Sequence, residues 1–178
     1  MVGNTILLHL HPSAELFDDM SLEIRKAVRA DATLILDLIK GIAEYEKLSH
    51  QVTATEEQIL KTMFCEQPYA HCYLAFWNED PVGYALYFFN FSTFLAKPGL
   101  YLEDLFVQPE MRGNGIGKEL LLTLAREAKA RDCGRMEWMA LDWNTRAHDF
   151  YFSLGADMLE EWKLFRATGE SLEKLAGL

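Results

Sequence analysis

A single mixed α/β domain is the fold class this sequence predicts, and three observations carry it. The chain has 178 residues, a length that fits one soluble domain. Half of its residues are hydrophobic and 25% are charged. That is enough apolar material for a sizeable core, and it excludes a disordered or collagen-like chain. Segments of helix and strand character follow one another in the order β-α-α-β-β-β-α-β-α-β, with a last short helix appended.

Each element has its own reason. Residues 1–20 carry His9, His11, Pro12 and Asp18-Asp19 with no sustained period, and read as an N-terminal extension ahead of Met20. They lack the basic n-region and cleavage site of a signal peptide. A first strand begins at Met20–Arg25. Asp31 is placed to cap a helix over 32–46, whose Leu34, Ile35, Leu38, Ile39 and Ile42 recur at helical spacing. Thr55-Glu56-Glu57-Gln58 has the form of a capping box and starts a second helix. Strands follow at Cys72–Trp77, Val82–Phe89 and Leu100–Val107, the first two joined by the turn residues Asn78-Glu79-Asp80-Pro81. A glycine-rich segment then feeds a helix to about Lys129. A strand over Met136–Leu141 comes next, then a short helix capped by Asn144 and stopped at Gly155. A last strand over Trp162–Ala167 and a small helix at Leu172–Leu175 close the chain.

Charge and cysteine usage narrow the function classes. The net charge is −10 and the pI is near 4.9, the wrong sign for a protein that reads nucleic acid. An acidic surface favours a cationic or neutral substrate instead. Cys65, Cys72 and Cys133 make an odd count without a C-x-x-C pair. They read as small buried apolar residues in a reducing, cytoplasmic compartment rather than as a disulfide framework or a zinc site. No apolar run approaches the roughly 20 residues of a membrane helix. The five histidines are scattered with no metal-binding pair, so no metal is expected. No cysteine or serine stands beside a base in a recognisable motif, which points away from a covalent intermediate.

The most informative segment is Leu105-Phe106-Val107, a short link, then Arg112-Gly113-Asn114-Gly115-Ile116-Gly117 opening a helix. Bare amides at a helix N-terminus bind phosphate, and glycines admit close approach and positive φ. The spacing fits neither a Rossmann fingerprint nor a Walker A loop. By spacing alone it reads equally as a glycine-rich turn feeding a helix.

Strand, R-x-x-G-x-G and helix in that order resemble the pyrophosphate-binding loop of the GNAT N-acetyltransferase superfamily. Within it, Tyr101-Leu102-Glu103-Asp104-Leu105-Phe106-Val107, Asp142-Trp143-Asn144, Asp149-Phe150-Tyr151 and Ala43-Glu44-Tyr45-Glu46 look like the spermidine/spermine (diamine) acetyltransferase family. Leu141-Asp142-Trp143-Asn144 and the ending Gly169–Gly177 are most similar to its thialysine acetyltransferase branch. The loop Asn90-Phe91-Ser92-Thr93-Phe94 departs from the polyamine branch, which carries an acidic Asp-Pro there. The resemblance implies an α/β GNAT fold, a central mixed and mostly antiparallel sheet flanked by helices, over residues 21–178. It implies acetyl transfer from acetyl-coenzyme A to a primary amine of a small cationic molecule, thialysine- or lysine-like or a short diamine, by direct attack, and a homodimer. Two aromatic stretches, Tyr84–Phe91 and Trp162–Phe165, are candidates for the dimer interface or for the core.

The resemblance also assigns residues. Arg112, Gly113, Asn114, Gly115, Ile116, Gly117 and Lys118 would hold the pyrophosphate, with Arg126 as a further nearby cation. Leu105, Phe106 and Val107 would offer backbone to the pantetheine arm, and Asn144 and Tyr151 would complete the coenzyme site. Tyr45, Glu46, Glu103, Asp104 and Trp162 match substrate-side positions. An alkylamine with a pKa near 10.4 is protonated at pH 7, so reaching its nucleophilic form costs roughly 4–5 kcal/mol. Glu103 is the candidate to take that proton through water, or else to anchor the ammonium. Consecutive strand residues point to opposite faces, so only one of Glu103 and Asp104 is expected to face the substrate. Tyr151, seven residues after Asn144 and so on the same helical face, would protonate the leaving thiolate. Outside the family, Glu103-Asp104 reads as a strand-end cap and Tyr151 as packing. Polyamine or protein-amine acetylation, a non-catalytic coenzyme A-binding module and nucleotide binding by the loop remain the alternatives.

Overall fold

The computed structural model describes residues 21–178, so the extension expected over 1–20 lies outside the described residues. The chain forms two compact units, one running to Met139 and one over Ala140–Leu178.

The first unit contains β1 (Leu22–Lys26), α1 (Ala32–Tyr45), α2 (Glu56–Met63), β2 (His71–Trp77), β3 (Asp80–Ser92), β4 (Lys97–Val107), α3 (Ile116–Ala130) and β5 (Met136–Trp138). The strands stand side by side in chain order. The first three pairs are antiparallel and β4 pairs with β5 in parallel, so the sheet is mixed and mostly antiparallel, as the resemblance implied. Local chemistry sets this order. Asn78 and Glu79 take positive φ of 50° and 70° and close a two-residue hairpin between β2 and β3. The parallel step from β4 to β5 needs a crossover, which α3 supplies.

The two sheet faces carry different cores. Cys72, Leu74, Tyr84, Leu86 and Phe106 point to one face and pack against Ile35 and Leu38 of α1 and Ile59 of α2. The alternate residues Tyr73, Ala75, Ala85, Tyr87, Leu100 and Leu102 are buried on the other. Helix α3 covers that face with Leu120, Leu121 and Leu124, and the Tyr73 hydroxyl donates to its Glu127 at 3.1 Å. Tyr84 and Tyr87 are 0% and 1% exposed, so the first half of the Tyr84–Phe91 stretch is core rather than interface, with Phe91 at its outer end 61% exposed. Cys72 lies in the core and Cys133 is half-buried, but Cys65 is exposed, against the expectation of burial.

Asp31 is the N-cap residue of α1, but its carboxylate does not bond the helix amides. It accepts from both Arg25 terminal nitrogens at 2.7 and 2.9 Å and from the Val28 amide at 2.7 Å. The Arg25 hydrogen bonds hold its pKa below the ordinary carboxylate range. A lowered pKa gives stability that is present above the unfolded value and lost as pH falls through the folded one. Asp31→Ala is therefore expected to destabilise by about 1–2 kcal/mol at neutral pH, after allowing for screening of the partly exposed guanidinium. Urea denaturation at pH 7 and at about pH 3 should show the gap closing at the lower pH.

The second unit contains α4 (Thr145–Ser153) and α5 (Glu170–Ala176). Gly155, at φ 85°, ends α4 in a Schellman arrangement: its amide reaches the Phe152 carbonyl at 2.9 Å and the Ala156 amide reaches Tyr151 at 3.2 Å. The strand expected over Trp162–Ala167 does not form, and β5 stops at Trp138 rather than Leu141. The segment has the apolar and aromatic content of a strand, but a strand exists only with a neighbour to satisfy its amides. Among the described residues the second unit has no strand to serve as one.

Candidate active site

The site is built on a fault in the sheet. Leu86 pairs with Asp104 and Tyr87 pairs with Leu102, so Glu103 is an extra residue with no partner across the ladder. This β-bulge interrupts the strict alternation that set Glu103 and Asp104 on opposite faces. Leu102 turns toward the α3 face. Asp104 turns toward the α1 face, half-buried, and Glu103 is exposed.

The Tyr84 hydroxyl donates to Asp104 Oδ2 at 2.9 Å. Burial pushes the Asp104 carboxyl up to about 6; the Tyr84 hydrogen bond opposes the rise, and the charges of Glu103 and Glu46 add to it. Glu46 is itself raised by burial. The three carboxylates therefore share one electrostatic environment, which the sequence did not show.

A raised carboxyl favours the folded state below its unfolded pKa of 3.8 and loses that advantage as pH climbs through about 6. Asp104→Asn keeps an oxygen for the Tyr84 hydroxyl and removes the cost of ionisation. We expect it to stabilise the protein by about 1–3 kcal/mol at pH 7 and to have no effect near pH 4, read by thermal melts at both values.

Tyr45 and Glu46 are positioned by the end of α1. Lys47 takes φ 62°, and the Leu48 amide reaches back to the Ala43 carbonyl at 2.7 Å, which fixes the last turn. The Arg112 guanidinium lies 4.1 Å over the Tyr45 ring, and its Nε donates to the Val107 carbonyl at 3.0 Å. Arg112 thus ties the end of β4 to the end of α1. Its spacing from Tyr45 in sequence gave no sign of this.

The glycine segment has the conformation its residues suggested. Gly113 and Gly115 take φ of 93° and 80°, and a Cβ on either would meet nothing within 4 Å. Gly115 is the N-cap of α3, so the Ile116, Gly117 and Lys118 amides have no intrahelical acceptor. Among the described residues, the Gly113, Asn114 and Gly115 amides donate to no backbone carbonyl outside the regular elements. Asn114 closes the loop by donating from Nδ2 to the Met111 carbonyl at 3.1 Å. Lys118 is exposed, whereas Arg126 lies 3.7 Å from Glu119. An open row of amides at a helix N-terminus fits a pyrophosphate.

Beside it, β5 follows β4 only from Leu100 to Leu102. From Glu103 to Val107 the outer edge of β4 has no described strand alongside it. Leu105 and Val107 are half-buried, and Phe106 sits in the core beneath them. Apart from the Val107 carbonyl, which Arg112 occupies, that edge offers backbone groups to an extended ligand arm.

In the second unit, Asn144 caps α4, its side-chain oxygen accepting from the Ala147 amide at 3.3 Å. Tyr151 is half-buried on the same helix with its ring 5.3 Å from that of Phe150. Trp162 is 71% exposed. The residue that sequence reasoning missed in the first unit is Tyr84, which read as one of several apolar strand positions. Among the described residues, no group of three His, Cys, Asp or Glu side chains is arranged to hold a metal, and no helix is long and apolar enough to cross a membrane.

Known proteins share this organisation. The profile of the acetyltransferase (GNAT) family matches residues 37–156. The thialysine N-epsilon-acetyltransferase of Bos taurus is 42% identical over 165 residues, covering 86% of this chain and 96% of that protein. The L-ornithine N5-acetyltransferase NATA1 of Arabidopsis thaliana is 30% identical, covering 85% of this chain and 86% of that one. Among solved structures, an integron cassette protein from the mobile metagenome of V. cholerae superposes with a TM-score of 0.75 at 28% identity, covering 89% of this chain and 99% of that one.

Proposed function

The chain belongs to the GNAT acetyltransferase family and is an N-acetyltransferase, and from that premise we propose that it acetylates a primary amine of a small, lysine-like cation such as thialysine or ornithine. The observation that carries this reading is the cluster of Glu46, Glu103 and Asp104, in which the charges of the first two raise the Asp104 carboxyl, in a chain that also carries an open amide cradle. A cluster of negative charge attracts a cationic acceptor and has no use for an anionic one.

In this reading the amides of Gly113 to Lys118 bind the coenzyme A pyrophosphate, Leu105 to Val107 bond the pantetheine arm along the free edge of β4, and Asn144 and Tyr151 complete that site. Acetyl-coenzyme A supplies an activated thioester. Tyr45, Glu46, Asp104 and Trp162 orient the acceptor. Glu103 takes the ammonium proton through water and leaves a neutral amine. The amine nitrogen attacks the thioester carbonyl carbon; a C–N bond forms and the C–S bond breaks. The Tyr151 hydroxyl gives its proton to the departing sulfur, and the second proton that the nitrogen sheds as the amide forms passes to solvent, from which Tyr151 is reprotonated.

The same reading makes residues 21–178 one catalytic domain that works in the cytoplasm as a homodimer. Trp162 and Phe165, 71% and 91% exposed, support the dimer as apolar surface in need of cover. The test is thiol release from acetyl-coenzyme A with thialysine, lysine, ornithine, putrescine, spermidine and a lysine peptide. Turnover greatest on thialysine, lysine or ornithine supports the assignment. Turnover confined to the polyamines or to the peptide overturns it.

A further inference from the structure

The Tyr84 hydroxyl is out of place by packing criteria. The residue is 0% exposed in an otherwise apolar cluster, and its ring meets Phe106 edge-on at 6.4 Å. Phenylalanine would fill that space with no polar atom to satisfy, because burying a hydroxyl costs free energy unless it is bonded. The hydroxyl has one acceptor among the described groups, Asp104 Oδ2. The other carboxylate oxygen, Oδ1, accepts no hydrogen bond among the described residues. The residue as a whole is half-buried. One oxygen is held by the Tyr84 hydroxyl and the other is left for a further partner, on the residue next to exposed Glu103.

We propose that Tyr84 is a positioning residue for the acceptor: its hydroxyl fixes the Asp104 carboxylate so that Oδ1 meets the substrate's cationic group beside Glu103. This rests on the acetyltransferase reading of the site given above and adds a residue to it. The groups facing Asp104 are Tyr84 from β3, Cys72 from β2, Glu103 from β4 and Glu46 at the end of α1. Tyr84 alone among them donates a hydrogen bond to the carboxylate, and so favours its charged form. The carboxylates of Glu46 and Glu103 oppose that form until a cationic acceptor arrives.

The test is Tyr84→Phe, which keeps the ring. The KM for thialysine is expected to rise roughly tenfold, the effect of losing one charge-assisted hydrogen bond, while the KM for acetyl-coenzyme A holds. The acid limb of kcat/KM for the acceptor should move to higher pH, since the carboxyl now protonates more readily. Adding Tyr84→Phe to Asp104→Asn should change little beyond Asp104→Asn alone. Unchanged acceptor KM and acid limb in Tyr84→Phe overturn the proposal, as does an equal loss toward acetyl-coenzyme A. If the unmodified protein acetylates none of the amines, the functional reading is what fails. Calorimetry of thialysine binding and a carbon-13 titration of the Asp104 carboxyl then decide the role of Tyr84. A weaker amine affinity and a raised titration midpoint in Tyr84→Phe uphold it, and no change in either overturns it.

Discussion

Tyr151→Phe is expected to lower kcat by roughly a hundredfold while leaving the affinity for coenzyme A within a few-fold of the parent. The expulsion of a thiolate near pKa 8.5 is helped by a donor that stays protonated at neutral pH, and a phenol near 10 meets that requirement. General acid catalysis of this kind contributes typically 10²–10⁴-fold. The substitution removes one oxygen and keeps the half-buried ring against Phe150. Stopped-flow thiol release and calorimetry of coenzyme binding separate the two quantities. A parental kcat in a folded Tyr151→Phe protein would remove Tyr151 from the chemistry. An equal fall in coenzyme affinity would make it a binding residue instead.

Gly115→Val is expected to abolish coenzyme A binding while the protein still folds. Two effects add at this position. A β-branched residue at φ 80° is strained, by roughly 1–2 kcal/mol or more, which lowers the melting temperature by several degrees. A Cβ there meets no protein atom within 4 Å. The isopropyl group enters the region above the loop amides that a pyrophosphate would occupy. The loss of affinity should therefore far exceed the loss of stability. Calorimetry with coenzyme A, alongside a thermal melt, compares them directly; Gly115→Ala carries less strain and serves if the valine variant is unstable. Parental coenzyme affinity in either folded variant would displace the cradle from this loop.

What the sequence made legible was short in range. The Thr55–Gln58 capping box, the Asn78–Glu79 turn, the Asn144 cap and the Gly155 stop are each decided by residues within a few positions of one another, and each formed. The glycine loop belongs with them, because its positive φ values follow from residue type. The bulge at Glu103 does not, since it arises from how Tyr87 pairs with Leu102, residues that only the folded sheet brings together. The same limit hid the Tyr45–Arg112 stacking and the Tyr84–Asp104 hydrogen bond. The strand expected at Trp162–Ala167 failed for a related reason: apolar and aromatic content favours a strand without showing whether a partner strand is there to complete the ladder.

The three-residue length of β5 has a consequence for how the fold yields. Strand β3 is anchored on both sides by long antiparallel ladders, while β5 hangs from β4 by three parallel rungs, a weaker pairing per residue. Free energies of local opening vary across one molecule, and the least protected segments part first. The sheet therefore behaves as a rigid leaf with a hinged margin. Local opening at that margin lengthens the free edge of β4 at the expense of β5, and the cores on either face of β3 stay closed.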